Sequence, residues 1–318
     1  GTLAVSACAP ARIPMGPAVA VPMLTPDALV MPDGVRLPVY AWLPPGPPRA
    51  IVIGLHGMNE HARAFAEDAA PWFIQEGVGL YAYDQRGFGG TANRGIWAGH
   101  ETMAADATQA ARLIRARHPG VPVIMMGESM GGAVLLVAGA SADPPPAEGC
   151  VLLAPAVVTR ASLGWFARGL LDVMVTVVPM MGFQNSAPGF QPTDNIAAWQ
   201  RWSRDPMLIR HTRVDALAGL VDLMDAAVAA APHFHAPALM LYGGRDRLVP
   251  LWIAVVSGLG PHYRQRDRRE LERTIPHSYE ANRRAMAHGR VRPLDRFVAY
   301  ITRLRLQAGC PLPAVQQA

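Results

Sequence analysis

The feature that most constrains this 318-residue chain is a succession of short apolar runs separated by segments with helical spacing. Runs of strand length lie at Ala28–Met31, Arg36–Leu43, Ile51–Leu55, Gly79–Tyr83, Val121–Met126, Cys150–Leu153, Ala238–Tyr242 and Glu270–Ile275. The central ones are continuous rather than alternating, the pattern of parallel strands covered on both faces. Helices are expected at 62–76, 103–117, 131–141, 251–258 and 291–306. Such alternation predicts an α/β fold, a mostly parallel central sheet with helices on both faces. Between the first two runs, Pro32-Asp33-Gly34 is a turn signal that suits an antiparallel hairpin at one edge.

One segment breaks the pattern. From Pro155 to Pro237 no strand is evident, and the sequence is helical or loop-like and rich in Met, Trp, Phe and Val. The domain is therefore expected to comprise 27–155 and 237–307, with a helical cap inserted at 156–236 and a tail at 308–318. Its most apolar stretch, Gly169 to Phe183, is interrupted by Asp172 and Pro179 and falls short of the roughly 20 residues of a membrane-spanning helix. A buried or interfacial segment is expected there.

Residues 1–26 read as a signal remnant and tether. Val5-Ser6-Ala7-Cys8 resembles the lipobox of bacterial lipoproteins, and a Pro- and Ala-rich stretch follows it. The expectation is a lipid-anchored protein of the cell envelope facing the periplasm, with peripheral membrane association through Cys8; cytoplasmic residence is the alternative. The three cysteines, Cys8, Cys150 and Cys310, form neither a disulfide framework nor a zinc-ligand spacing, and pairing of Cys150 with Cys310 stays open. The net charge of +5 comes from arginine alone, scattered except for Arg264, Arg266, Arg268, Arg269 and Arg273, with no aromatic-lined stripe. Nucleic acid is not an expected partner.

Gly127-Glu128-Ser129-Met130-Gly131 carries the chemistry. It fits the G-x-S-x-G nucleophile elbow, with an apolar strand before it and a small-residue helix after it. A serine needs a base to take its proton. His277 and Asp246 each follow the end of a late strand, in the chain order Ser, acid, His. Asp246 would hold the imidazole in its tautomer and stabilise the imidazolium. An oxyanion needs backbone donors. Met130, next to the nucleophile, is one candidate amide, and Met58 in His56-Gly57-Met58-Asn59-Glu60-His61 is the other. His56 and His61 lack a metal-site spacing, so His56 is read as a residue that shapes the loop and no metal or cofactor is expected.

The loop 56–61, the turn Asp84-Gln85-Arg86-Gly87-Phe88-Gly89, the elbow and the Asp246/His277 pair together resemble the monoacylglycerol lipase and lysophospholipase branch of the α/β-hydrolases. The resemblance covers about 28 to 305 and implies the α/β-hydrolase fold with a cap. It also implies a serine esterase or lipase that forms an acyl-enzyme from a small-molecule acyl ester such as a monoacylglycerol or lysophospholipid. Asp84, Arg86 and Gly87 would be structural. Two departures bear on substrate rather than reaction: Asn59 stands where the branch has glycine, and Ser278 rather than glutamate follows His277. An acyltransferase would use the same triad. A non-catalytic binding protein would be expected to lose a member of it, and an amidase would need an anchor for a free amine.

Overall fold

A computed structural model of the chain describes residues 10–185 and 196–241. Asp246, His277, Ser278, Cys8, Cys310, the arginine cluster at 264–273, the expected strand at 270–275 and the helices at 251–258 and 291–306 lie outside the described residues.

The strands are β1 (Met23–Leu24), β2 (Ala28–Val30), β3 (Arg36–Trp42), β4 (Ala50–Leu55), β5 (Val78–Tyr83), β6 (Val123–Glu128), β7 (Gly149–Leu153), β8 (Gly182–Gln184), β9 (His211–Arg213) and β10 (Ala238–Leu241). Eight of them form one sheet in the order β1-β2-β3-β5-β4-β6-β7-β10. The first three are antiparallel and the remaining five run parallel to one another. The turn at Pro32–Gly34 makes the edge hairpin expected of it, with Gly34 at φ 77°.

Helices α1 (Ala62–Ala66), α2 (Ala70–Gln75), α3 (His100–Arg117), α4 (Met130–Gly139), α5 (Trp165–Val177), α6 (Ile196–Trp202) and α7 (Val214–Ala230) accompany the strands. Continuous apolar strands now find their explanation. On β4, Ile51, Ile53 and Leu55 join one cluster with Ala107, Ile114, Val134 and Leu223 of α3, α4 and α7. Ala50 and Val52 face the other way, onto Ala62, Ala66 and Ala70 of α1 and α2. With both faces of a strand buried, alternation has no reason to appear.

Three features differ from the sequence reading. The helix expected over 62–76 is two, because Pro71 enters at the start of α2 and cannot donate back to residue 67. Residues 10–24 do not hang free as a tether: the Ala11 amide donates to Asp215 (3.0 Å), Ile13 to the Trp97 carbonyl (2.9 Å) and Met15 to Thr102 Oγ1 (3.1 Å), and Met23–Leu24 is the outermost strand of the sheet. Within 156–236, β8 and β9 pair as an antiparallel ribbon, and α7 packs on α3 and α4 as part of the layer over the sheet. Helix α5 packs on α7, and Arg201 of α6 pairs with Asp68 between α1 and α2. Arg160 pins the start of this segment to α7 through Asp222 (2.7 Å) and Asp225 (3.5 Å).

Candidate active site

Leu55 of β4 pairs in register with Gly127 of β6, so the chain segments that follow them leave the same edge of the sheet side by side. One carries Ser129, the other Met58.

Ser129 adopts φ 49°, ψ −110°, a region that L-residues avoid and that costs about 1–3 kcal/mol. Three backbone hydrogen bonds hold it there. Its N–H donates to the Leu153 carbonyl (2.9 Å), and its carbonyl accepts from Ala133 (3.1 Å) and Ala156 (2.9 Å). The neighbouring glycines are demanded by space. A methyl group on Gly127 would lie 2.5 Å from the Gly131 carbonyl, one on Gly131 would lie 2.3 Å from the Leu55 oxygen, and one on Gly132 would lie 2.8 Å from Pro155 Cβ. The Ser129 hydroxyl does not cap α4, which leaves it available at a half-buried position. Met130 is the first residue of α4, so its amide belongs to the helix N-terminal donors that have no intrahelical acceptor. That end of the helix also carries the positive pole of its dipole.

The loop after β4 is built from polar ties. His56 is buried; its Nδ1–H donates to the Gly57 carbonyl (2.7 Å) and its Nε2 accepts from the Gln85 amide (3.0 Å), while the Gln85 side chain donates to the His56 carbonyl (2.7 Å). Both ring nitrogens are thus occupied by backbone, and burial lowers its pKa to about 4, so the ring is neutral. Glu60 Oε2 accepts from the Gly57 amide (3.1 Å). Burial, and after it the charge of Glu128, raises the Glu60 carboxyl well above its ordinary range, which favours a neutral acid beside the loop. His61 caps α1 and reaches Asp205 through Nε2 (2.9 Å). Asn59, at φ 66°, donates from Nδ2 to Thr212 Oγ1 (2.8 Å).

Behind the loop, the turn at 84–89 is held just as firmly. Asp84 accepts from the Ala62 and Gly90 amides, both at 2.8 Å. Arg86 sits between Asp33 (2.7 Å) and Asp106 (2.8 Å), with all three side chains 3% exposed or less. A methyl group on Gly87 would lie 2.2 Å from the Ile96 oxygen. Cys150 is buried on β7 and unpaired among the described residues, and burial pushes its thiol up to about 12. Among the described residues no His/Cys/Asp/Glu group is arranged to hold a metal ion.

Sequence reasoning missed Asp33 and Asp106 as partners of Arg86, Asp205 as partner of His61, and Thr212 as partner of Asn59. All four contacts span 20 or more residues and leave no local pattern.

The family described as serine aminopeptidase, S33 (Hydrolase_4) matches residues 46–251, more than half of the chain. A monoacylglycerol lipase of Mycolicibacterium smegmatis is 30% identical over 69% of this chain and 78% of its own length. The chain is an α/β-hydrolase of the monoacylglycerol lipase-like branch. Membership of this family together with lipase relatives indicates a carboxylic ester hydrolase. A monoglyceride lipase of Rattus norvegicus is 27% identical over 76% of this chain and 78% of its own length. Among solved structures, the monoacylglycerol lipase of Paleococcus ferrophilus superimposes with a TM-score of 0.53 at 22% identity, over 70% of this chain and 82% of that one. A thermostable carboxyl esterase from Bacillus coagulans gives 0.57 at 19% identity, over 75% and 84%. The α/β-hydrolase fold expected from the sequence is the one these structures share with the protein.

Proposed function

We propose that this hydrolase cleaves acyl esters with a medium or long chain, of the monoacylglycerol or lysophospholipid kind, through an acyl-enzyme on Ser129. In this reading Ser129 Oγ attacks the ester carbonyl and gives its proton to His277, which Asp246 orients. The amides of Met58 and Met130 receive the oxyanion. His277 then protonates the leaving alcohol, and water, activated by the same imidazole, releases the acid. The observation that carries the proposal is the backbone of Ser129, strained at φ 49° and ψ −110° and fixed by glycines that no other residue can replace. Strain of this kind persists where the surrounding structure over-determines it, and it clusters at reacting residues.

Two observations support the substrate class. The relatives named above are monoacylglycerol and monoglyceride lipases. Helix α5, which belongs to the segment that begins on the elbow through the Ala156–Ser129 hydrogen bond, presents apolar side chains to solvent, Trp165 at 86% and Phe166 at 67% exposure. Each methylene of an acyl chain that leaves water for such a surface contributes about 0.8 kcal/mol.

The test is hydrolysis of p-nitrophenyl esters from acetate to palmitate, and of monoacylglycerols followed by glycerol release. Ser129→Ala is expected to lose turnover by about a millionfold, with labelling by a fluorophosphonate abolished. Ester turnover that survives in Ser129→Ala would overturn the assignment.

A further inference from the structure

We infer that Asn59 is a positioning residue that couples the segment 205–212 to the oxyanion loop, so that the geometry of the cap's return path sets the placement of the Met58 amide. This rests on the reading of Met58 as an oxyanion donor given above.

Asn59 occupies the left-handed region at φ 66°. Glycine satisfies that backbone requirement without strain, and asparagine is among the few other residues that tolerate it. The turn alone therefore gives no reason for a side chain. What the carboxamide adds is a closed circuit of hydrogen bonds. Asn59 Nδ2–H donates to Thr212 Oγ1 (2.8 Å), and the Thr212 hydroxyl donates to Asn185 Oδ1. The Thr212 amide donates to the same oxygen (3.2 Å), and Asn185 Nδ2–H donates to the Ile209 carbonyl (2.5 Å). The Ile209 amide closes the circuit on the Asn59 carbonyl (3.0 Å). Four residues from three distant stretches of chain are joined, and Thr212 at their centre is buried.

Met58 and Ile209 pack against the buried core that holds Phe88 and Trp97. Apolar contact of this kind has no direction, so hydrogen bonds, which do, set the orientation of the loop backbone on this side. His61, hydrogen-bonded to Asp205, anchors its other end to the same segment. With the Asn59 tie cut, the loop loses a directional restraint, and the Met58 amide is no longer held on the oxyanion. An oxyanion donor acts by being aimed in advance, so slackness appears as lost transition-state binding rather than lost substrate binding.

The experiment compares Asn59→Gly, Thr212→Val and Thr212→Ser with wild type on the best p-nitrophenyl ester, and measures inhibition by a trifluoromethyl ketone of the same chain length. Asn59→Gly keeps the backbone requirement and removes the tie. It is expected to lower kcat by about tenfold, with KM within about twofold, and to weaken the ketone in proportion to kcat/KM. Thr212→Val is expected to match it, the double variant to be no worse than either, and Thr212→Ser, which keeps the hydroxyl, to retain wild-type kcat. Unchanged kcat in Asn59→Gly, or a loss confined to KM, would overturn the coupling while leaving the esterase intact. Wild type inactive on every ester would instead remove the reading on which it rests. Should Thr212→Val fail to fold, the Asn59→Gly comparison with the ketone decides alone.

Discussion

Single residues around the elbow carry distinct and separable demands. Gly131→Ala places a methyl group 2.3 Å from a backbone oxygen, where no side-chain rotation relieves the clash. We expect it to cost about 3 kcal/mol or more, seen as loss of soluble protein or a fall of the thermal midpoint by about 5 °C or more, on the order of a severe overpacking change. His56 makes a different prediction. Its folded pKa, lowered by burial to about 4, lies below the ordinary 6.5. Between those values the unfolded chain takes up a proton that the folded protein refuses. The stabilisation is complete above pH 6.5 and is lost as pH falls toward 4, about 3 kcal/mol in all. Calorimetry from pH 7.5 to 4 should therefore show the gap between wild type and His56→Gln shrinking by that amount; a constant gap would mean that the ring keeps its ordinary pKa in the folded protein. At this scale the sequence was most legible where the constraint is local. Ser129 and its glycines lie within six residues, so motif and geometry coincide. The partners Asp205 and Thr212 were invisible because proximity to them exists only after folding.

Among elements, legibility followed burial. Strands β4, β5 and β6 were readable because every residue in them faces protein on one side or the other, bar Glu128 at the elbow. The break between α1 and α2 was readable in principle from Pro71, but the apolar spacing runs through it. Strands β8 and β9 were not, since three-residue partners separated by 26 positions carry no period. One buried arginine cross-braces three elements: Arg86 after β5 joins the β2–β3 turn through Asp33 and α3 through Asp106. Removing one partner leaves an uncompensated buried charge, which is worth far more than the same pair at a surface. Asp106→Ala is expected to cost about 3–5 kcal/mol, measured as a lower urea midpoint at unchanged slope. An effect below about 1 kcal/mol would show that Asp33 alone suffices for Arg86.

At the scale of the whole molecule, a well-packed α/β core contrasts with a helix that offers its apolar side chains to solvent. No helix among the described residues is long and apolar enough to cross a membrane. Trp165→Ser with Phe166→Ser removes exposed side chains and should leave the thermal midpoint nearly unchanged. Turnover of a short soluble ester should persist, while turnover of a long-chain ester presented in micelles should fall several-fold; equal loss on both would place these residues in the core rather than at the substrate. The alternation of strands and helices announced the core, but nothing in it announced how residues 11–16 lie across α3 and α7. Their contacts reach 87 to 210 positions along the chain, to Thr102, Asp215 and Asp222. During synthesis at about 5–20 residues per second, Arg12 therefore waits roughly 10–40 s from its own addition to the chain before its partner Asp222 has even been made. This stretch cannot dock until α7 has been synthesised, and until it docks, the surface it covers on α3 is bare.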